Sequence, residues 1–326
     1  MKILYSVQAT GNGHISRAHQ LYPHLCELGD VDIMLSGSNA SLKMEIPITY
    51  RSQGMSLFYS QCGGLDYKKT WASFNYNQIK RDINSLPVEK YDLIINDFDY
   101  VTARACKQKN VPSVQFGHQG SFMSLKTPRP TSKSFIGEFI LKNYAPATHY
   151  VGLHFERFDD FVFPAVIKNV FLEAKPKDQG HISVYLPAYQ THCLEQILKE
   201  ISPIEVHWFL PNIQQPHKID NITYFPVNQH YFNDSLIHCH GLLTGGGFET
   251  PAEALYLGKN LLTIPIDGQY EQQCNSAALE KLGIPKMRFL NEKSKSTFLE
   301  WVYKAQDIPK IQANNIQETL DYITKL

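Results

Sequence analysis

The residues best placed to do chemistry fall in three groups. The first is Ala9-Thr10-Gly11-Asn12-Gly13-His14, between the apolar run Lys2–Val7 and a helical pattern from about Ser16 to Leu28. An imidazole titrates near neutrality, so His14, at the carboxyl end of a first strand, can take a proton from a hydroxyl as that oxygen attacks. A polar residue at a helix start describes it equally well. The second group is the turn Gly245-Gly246-Gly247, after the short apolar strand Gly241–Leu243. Without side chains there, backbone N–H groups can approach a phosphate or diphosphate, and the peptide dipoles of a following helix favour negative charge. The third group is Asp97, Asp99 and His118, each just past a strand pattern (Tyr91–Ile95, Ser113–Phe116) and so at the same crevice as His14. They can orient His14 or bind acceptor hydroxyls; turn capping by the aspartates and a structural histidine are the competing reading.

Regular elements must hold these groups in place. After the second glycine turn, Thr250 suits an N-cap, Pro251 the first helical position and Glu253 the far end of a T-x-x-E capping box, with Gly258 as the stop. Strand Asn260–Ile264 follows, then a helix from about Gln272. The first helix shows an apolar face of Ala18, Leu21, Tyr22 and Leu25, stops at Gly29 and leads to strand Asp30–Leu35. This βαβ start approximates G-x-G-x-x-G, but Ser16 replaces the third glycine, so it is a poor dinucleotide fingerprint. Polar turns including Gly63-Gly64, helices Phe74–Ile83 and Tyr100–Lys109 and strand Tyr150–Leu153 complete the first half. A linker region spans 163–180, and a second α/β half restarts with strand Ile182–Leu186, helix His192–Glu200 and strands Glu205–Phe209 and Ile222–Phe225. A short strand, Met287–Phe289, and helices from Ser296 and Ile316 end it. The expectation is an α/β protein of two domains, 1–163 and 164–326, the last helix packing back on the first, with ligands bound in the cleft between them.

Bulk properties narrow the classes. The 326 residues are 43% hydrophobic and 19% charged, as in a globular protein, and the formal net charge is zero, so nothing points to nucleic acid. Eighteen Tyr and eighteen Phe suit a sugar-handling surface and a filled core equally. No apolar run is long enough to span a bilayer, and the first residues lack a signal peptide's pattern; a cytoplasmic protein is expected. Six scattered cysteines without C-x-x-C fit reduced thiols better than a disulfide framework. His238-Cys239-His240 alternates along the chain and cannot turn all three side chains to one metal ion. Between Leu125 and Asn143, Lys126, Arg129, Lys133 and Lys142 flank Phe135, Ile136, Phe139 and Ile140. Such a helix can dock on anionic lipid headgroups, as a peripheral contact over Lys126–Lys142, or bury its apolar face against its own sheet.

The stretch TGGGFETPAEALYLGK…IPIDGQYEQQCNSAALEKLG resembles the C-terminal nucleotide-binding motif of GT-B glycosyltransferases, and most nearly that of glycosyltransferase family 28, which includes the MurG N-acetylglucosaminyltransferases. GNGHISRA is similar to the same group's G-x-G-H loop. The resemblance implies two Rossmann-like, doubly wound domains facing a central cleft, the first binding acceptor and the second a nucleotide sugar. It implies that Gly245, Gly246 and Gly247 hold the donor diphosphate with Thr250 beside them. Glu253 would bind the ribose hydroxyls, Glu271 and Gln272 would read the donor sugar, and Asn275 lies in the same motif. His14, aided by Asp97, would act as base, with Gly11, Gly13, Asp99 and His118 on the acceptor side. Glu253 cannot fully serve both a capping box and a ribose. Loop Leu186–Thr191 lacks the glycine or basic residue of many relatives, which leaves Arg17 or Tyr189 to assist the helix dipole.

The implied reaction moves a sugar from a UDP-linked donor to a hydroxyl on a glycan, lipid-linked or small-molecule acceptor, with inversion and without metal or cofactor. The spacing Asp97-Phe98-Asp99 would suit a metal–diphosphate bridge, but it lies in the half opposite the phosphate site. A UDP-sugar 2-epimerase of the same architecture and a non-catalytic nucleotide-sugar binding protein are the alternatives.

Overall fold

The computed structural model describes residues 1–37, 40, 42–54, 75–304 and 307–326. Gly63-Gly64 and the expected helix start at Phe74 lie outside the described residues.

In the first half, β1 (Lys2–Gln8), α1 (Asn12–Leu28), β2 (Asp30–Ser36), β3 (Tyr50–Ser52), α2 (Tyr76–Ser85), β4 (Leu93–Asp97), α3 (Tyr100–Lys109), β5 (Val114–Gly117), α4 (Phe135–Asn143), β6 (His149–His154) and β7 (Val162–Pro164) build one parallel sheet, ordered β3-β2-β1-β4-β5-β6-β7. In the second, α5 (Asn169–Leu172), β8 (Ile182–Tyr185), α6 (Thr191–Lys199), β9 (Val206–Leu210), β10 (His217–Ile219), β11 (Ile222–Pro226), α7 (Gln229–His238), β12 (Gly241–Thr244), α8 (Glu249–Tyr256), β13 (Asn260–Thr263), α9 (Tyr270–Lys281), α10 (Lys295–Tyr303) and α11 (Ile316–Ile323) surround a sheet ordered β10-β11-β9-β8-β12-β13. Only β10 in that sheet runs antiparallel to its neighbour. Helices on both faces bury the central strands, which explains why β1, β12 and β13 read as continuous apolar runs rather than alternating ones.

Along its parallel strands each sheet reverses its order once, between β1 and β4 and between β8 and β12. At such a reversal the chain leaves neighbouring strands in opposite directions and opens a crevice at their carboxyl ends. In the first sheet Val7 pairs with Asp97, so the loop after β1 rises directly beside Asp97. In the second, Thr244 pairs with Tyr185, so the glycine turn rises beside the loop after β8. The last helix meets the first half. Tyr322 packs on Phe163 at 5.3 Å, Arg157 pairs with Glu318, and the Asn314 amide donates to the Ala165 carbonyl.

Several sequence expectations are corrected. Helix α1 starts at Asn12 rather than Ser16, because the extended Gly11 acts as its N-cap, so His14 sits in the helix's first turn. The expected strand Met287–Phe289 is reduced to one bridge between Lys286 and Thr263. Cys26, Cys106, Cys239 and Cys274 are free. Helix α4 does not bury its apolar face against its own sheet: Phe135, Ile136, Phe139 and Ile140 are exposed, and only Leu141 is buried. Its other face meets α9, where Gly137 lies against the Tyr270 ring and Glu138 accepts from the Tyr270 hydroxyl at 2.8 Å.

Trp208, in β9, is fully buried in the second half's core. Trp208→Ala is expected to destabilise that half by about 3–5 kcal/mol. Urea unfolding followed by far-UV circular dichroism measures this, and a loss below about 1 kcal/mol would contradict the packing described.

Candidate active site

The first-half side of the cleft is organised by a buried ion pair. Asp97, at the end of β4, has no solvent exposure, and Arg17 of α1 grips it with Nε at 3.1 Å from Oδ2 and Nη2 at 2.6 and 2.8 Å from the two oxygens. His14 lies one helical turn before Arg17, on the same face, and its Nδ1 is 2.9 Å from Asp97 Oδ1. Burial alone would raise the Asp97 carboxyl, but Arg17 and His14 outweigh it and hold it below the ordinary range. An ionised Asp97 fixes the histidine tautomer: Nδ1–H donates to the carboxylate, and Nε2 is left to accept a proton in the cleft. Gly117 is required here, since a Cβ would fall 2.6 Å from Asp97 Oδ1.

Across the cleft, Gly246 packs so tightly that a Cβ would sit 2.7 Å from the Gln272 carbonyl. The Gln272 side-chain oxygen accepts from the Gly246 amide at 3.1 Å and the Ile266 amide at 2.9 Å, so this glutamine shapes the turn. Asn275, fully buried, donates to the Gly246 carbonyl at 3.0 Å, while its oxygen meets His118 Nε2 at 2.6 Å. His118 also bonds the Leu153 carbonyl through Nδ1 and stacks on Phe248 with ring centroids 4.0 Å apart. Burial pushes the His118 imidazole below its ordinary value.

Helix α8 begins at Glu249, with Phe248 as its N-cap and no side-chain cap. This overturns the expected capping box. Thr250 lies inside the first turn, and Glu253 points away from its own helix start. One Glu253 oxygen pairs with Lys168 at 3.0 Å; the other is buried without a partner, and burial raises this carboxyl, only partly offset by Lys168. Pro251 has no N–H and Ala252 donates to the Phe248 carbonyl, which leaves the amides of Glu249 and Thr250, both residues that line the cleft, without an intrahelical acceptor. Glu271, at the start of α9, accepts from Gln119 Nε2 at 3.1 Å across the cleft.

Both glycine turns, His14, Thr250, Glu271 and Gln272 line a cavity of about 420 Å³ between the halves. Glu253 lines a narrower one of about 60 Å³ that shares Asn12, Gly13, Glu249 and Thr250 with it. Asp99 is a correction: its carboxylate caps α3 through the amides of Val101 and Thr102 and takes no part in the cleft. His118 touches the cavity, but its ring nitrogens are committed to structural bonds. Asp97-Phe98-Asp99 and His238-Cys239-His240 each turn their side chains apart, and among the described residues no group of three His, Cys, Asp or Glu could hold a metal ion. Glu249 and Lys168 escaped sequence reasoning. Lys168 sits in the stretch read as linker, and nothing in its spacing reveals that it meets Glu253.

The profile of glycosyl transferase family 1 matches residues 1–304, and the chain belongs to that family. It is a glycosyltransferase with the GT-B fold. Similar solved structures include MurG from Acinetobacter baumannii, at 14% identity and TM-score 0.52, covering 100% of this chain and 99% of that one. UGT89C1 from Arabidopsis thaliana, complexed with UDP, has 14% identity and TM-score 0.59, covering 99% and 94%. The glycosyltransferase VinC, in complex with dTDP, has 13% identity and TM-score 0.55, covering 100% and 99%. At these identities the likeness shows the fold. A comparison with curated proteins finds no match.

The depressed Asp97 carboxyl links the site to stability. Its pKa in the fold lies below the roughly 3.9 of an unfolded chain, so its charge stabilises the fold above that pH. That contribution disappears as pH falls through the folded-state value. Asp97→Asn also takes from the buried Arg17 the counter-charge that holds its Nε and Nη2. The variant is expected to be markedly less stable than the parent at pH 7, with the gap narrowing towards pH 3. Denaturation midpoints at the two pH values check this, and an equal gap at both would refute it.

Proposed function

We propose that this chain transfers a sugar from a UDP-linked donor to a hydroxyl acceptor, with His14 as the general base, without a metal ion and with inversion at the anomeric carbon. The observation that carries the proposal is the arrangement across the cleft: the His14–Asp97 pair on one wall, the uncapped start of α8 on the other. The departing diphosphate develops negative charge, which helix-start amides stabilise without reorganising. The unpartnered, buried Glu253 oxygen suits a ribose hydroxyl as donor. Glu271 and Gln272, which line the cleft, would read the sugar. An acceptor hydroxyl entering from the His14 wall attacks the face of the sugar opposite the diphosphate, loses its proton to Nε2, and so inverts the centre. UDP and dTDP in similar structures support a pyrimidine nucleoside diphosphate.

A lipid-linked acceptor would bring the chain to a membrane surface. Leu125, Phe135, Ile136, Phe139 and Ile140 are 47–94% exposed and lie among Lys126, Lys133 and Lys142, a composition suited to a peripheral contact with anionic lipid. No helix among the described residues is long and apolar enough to cross a membrane.

Two measurements test the reading. UDP or dTDP is expected to raise the melting temperature of the whole chain, as any ligand of the folded state does. His14→Ala should keep that shift while lowering acceptor-dependent UDP release by at least about 100-fold. Conversion of the sugar with no acceptor present would point instead to an epimerase. For the surface, the parent should sediment with phosphatidylglycerol vesicles and not with phosphatidylcholine ones, and Phe135→Ser with Phe139→Ser should abolish it; sedimentation unaffected by the double change would remove the membrane contact.

A further inference from the structure

A nucleoside diphosphate carries at least two negative charges, yet no lysine or arginine lines the main cleft among the described residues. Two carboxylates do, Glu249 and Glu271. Helix-start amides supply only partial charges, and a carboxylate beside them opposes the ligand the site is built for. One full cation lies immediately behind the wall. Arg17 is buried, its Nε and Nη2 are spent on Asp97, and its remaining arm, Nη1, bonds Glu249 Oε1 across the domain boundary.

We propose that Glu249 stands in for the donor's diphosphate, and that on donor binding its carboxylate swings aside so that a phosphate oxygen takes its place on Arg17 Nη1. The proposal rests on the donor-site reading above and names the cation that reading lacks. Four observations support it. The Glu249 side chain is an anion at an uncapped helix start, where a phosphate would be favoured, and it is 20% exposed, with solvent into which to rotate. Arg17 cannot follow it, being held by Asp97 and contacting His14 Nδ1 at 3.0 Å. Gly13 provides the window between them: a Cβ there would lie 2.3 Å from Glu249 Oε2, so only glycine lets an anion this close to the guanidinium. Finally, Gln119 Oε1 and the Tyr189 hydroxyl, on side chains that are 4% and 6% exposed and line the same cleft, are buried without partners, as expected of a site completed by a polar ligand. Tyr189 thus offers a hydroxyl and Arg17 the charge.

The exchange makes a prediction of unusual sign: removing a charged residue that lines the site improves binding. Calorimetry on the whole chain with UDP, dTDP and uridine reads it. Glu249→Gln is expected to bind the diphosphate about tenfold more tightly than the parent and uridine equally well, because only phosphate competes with the carboxylate. Arg17→Lys, with folding checked by thermal melting, is expected to weaken the diphosphate by about tenfold and leave uridine unchanged. Diphosphate affinity that is unchanged or lower in Glu249→Gln, or a gain shared by uridine, overturns the exchange while leaving the donor site standing. No binding of either diphosphate to parent and variant alike would overturn the donor-site reading itself.

Discussion

A carboxylate taken wholly out of water must be matched, and Asp97 is matched by Arg17. Burial opposes its charge, and an unpaired ion there would cost several kcal/mol. The fork of the guanidinium offsets this with two-oxygen contact and leaves the Nη1 amino group over. From this pair the geometry of the His14 wall follows. Because Arg17 and His14 share a face of α1, fixing the arginine fixes the ring. Because the carboxylate stays charged, the ring's protonated nitrogen is chosen for it. Gly117 and Gly13 are needed for the same reason: each gives room to an anion that a methyl group would displace.

The two halves meet through polar contacts as well as apolar core. His118 of the first half, Asn275 and the Gly246 carbonyl of the second form one buried chain of hydrogen bonds, and Phe248 lies flat on the imidazole. The turn proposed for the diphosphate is thus braced from the opposite domain. Motions that separate the halves must break or pivot about this chain, which couples the opening of the cleft to the shape of the turn. The Arg17–Glu249 pair crosses the same boundary beside the cleft, and Lys168, in the linker, pairs with Glu253.

Much of this architecture could be read before any coordinates. Continuous apolar strands alternating with amphipathic helices announced parallel sheets, and turns rich in glycine marked the strand ends where ligands collect. What stayed hidden depended on which elements become neighbours. Thr250 and Glu253 satisfied the spacing of a capping box, but Lys168, eighty-five positions earlier, draws Glu253 away, and tertiary pairing overrides the local pattern. Asp97 and Asp99 looked equivalent in sequence. The chain leaves the strand at Phe98, whose φ is 58°, and Asp99 beyond it serves its own helix. The amphipathic reading of α4 was right about composition and wrong about burial, because its packing partner is Tyr270 of the second half, which needs only a glycine to rest on.

The commitment of Gln272 carries a last consequence. Its carbonyl oxygen is consumed by two backbone amides, so only its amino group remains to offer outward. Beside it Glu271, as a carboxylate, can only accept. In the proposed reading the pair divides the polarity of recognition between two side chains, and a hexose would have to turn one hydroxyl as proton giver and the next as receiver. Epimers that move one of these hydroxyls between axial and equatorial would be discriminated by its position rather than by size.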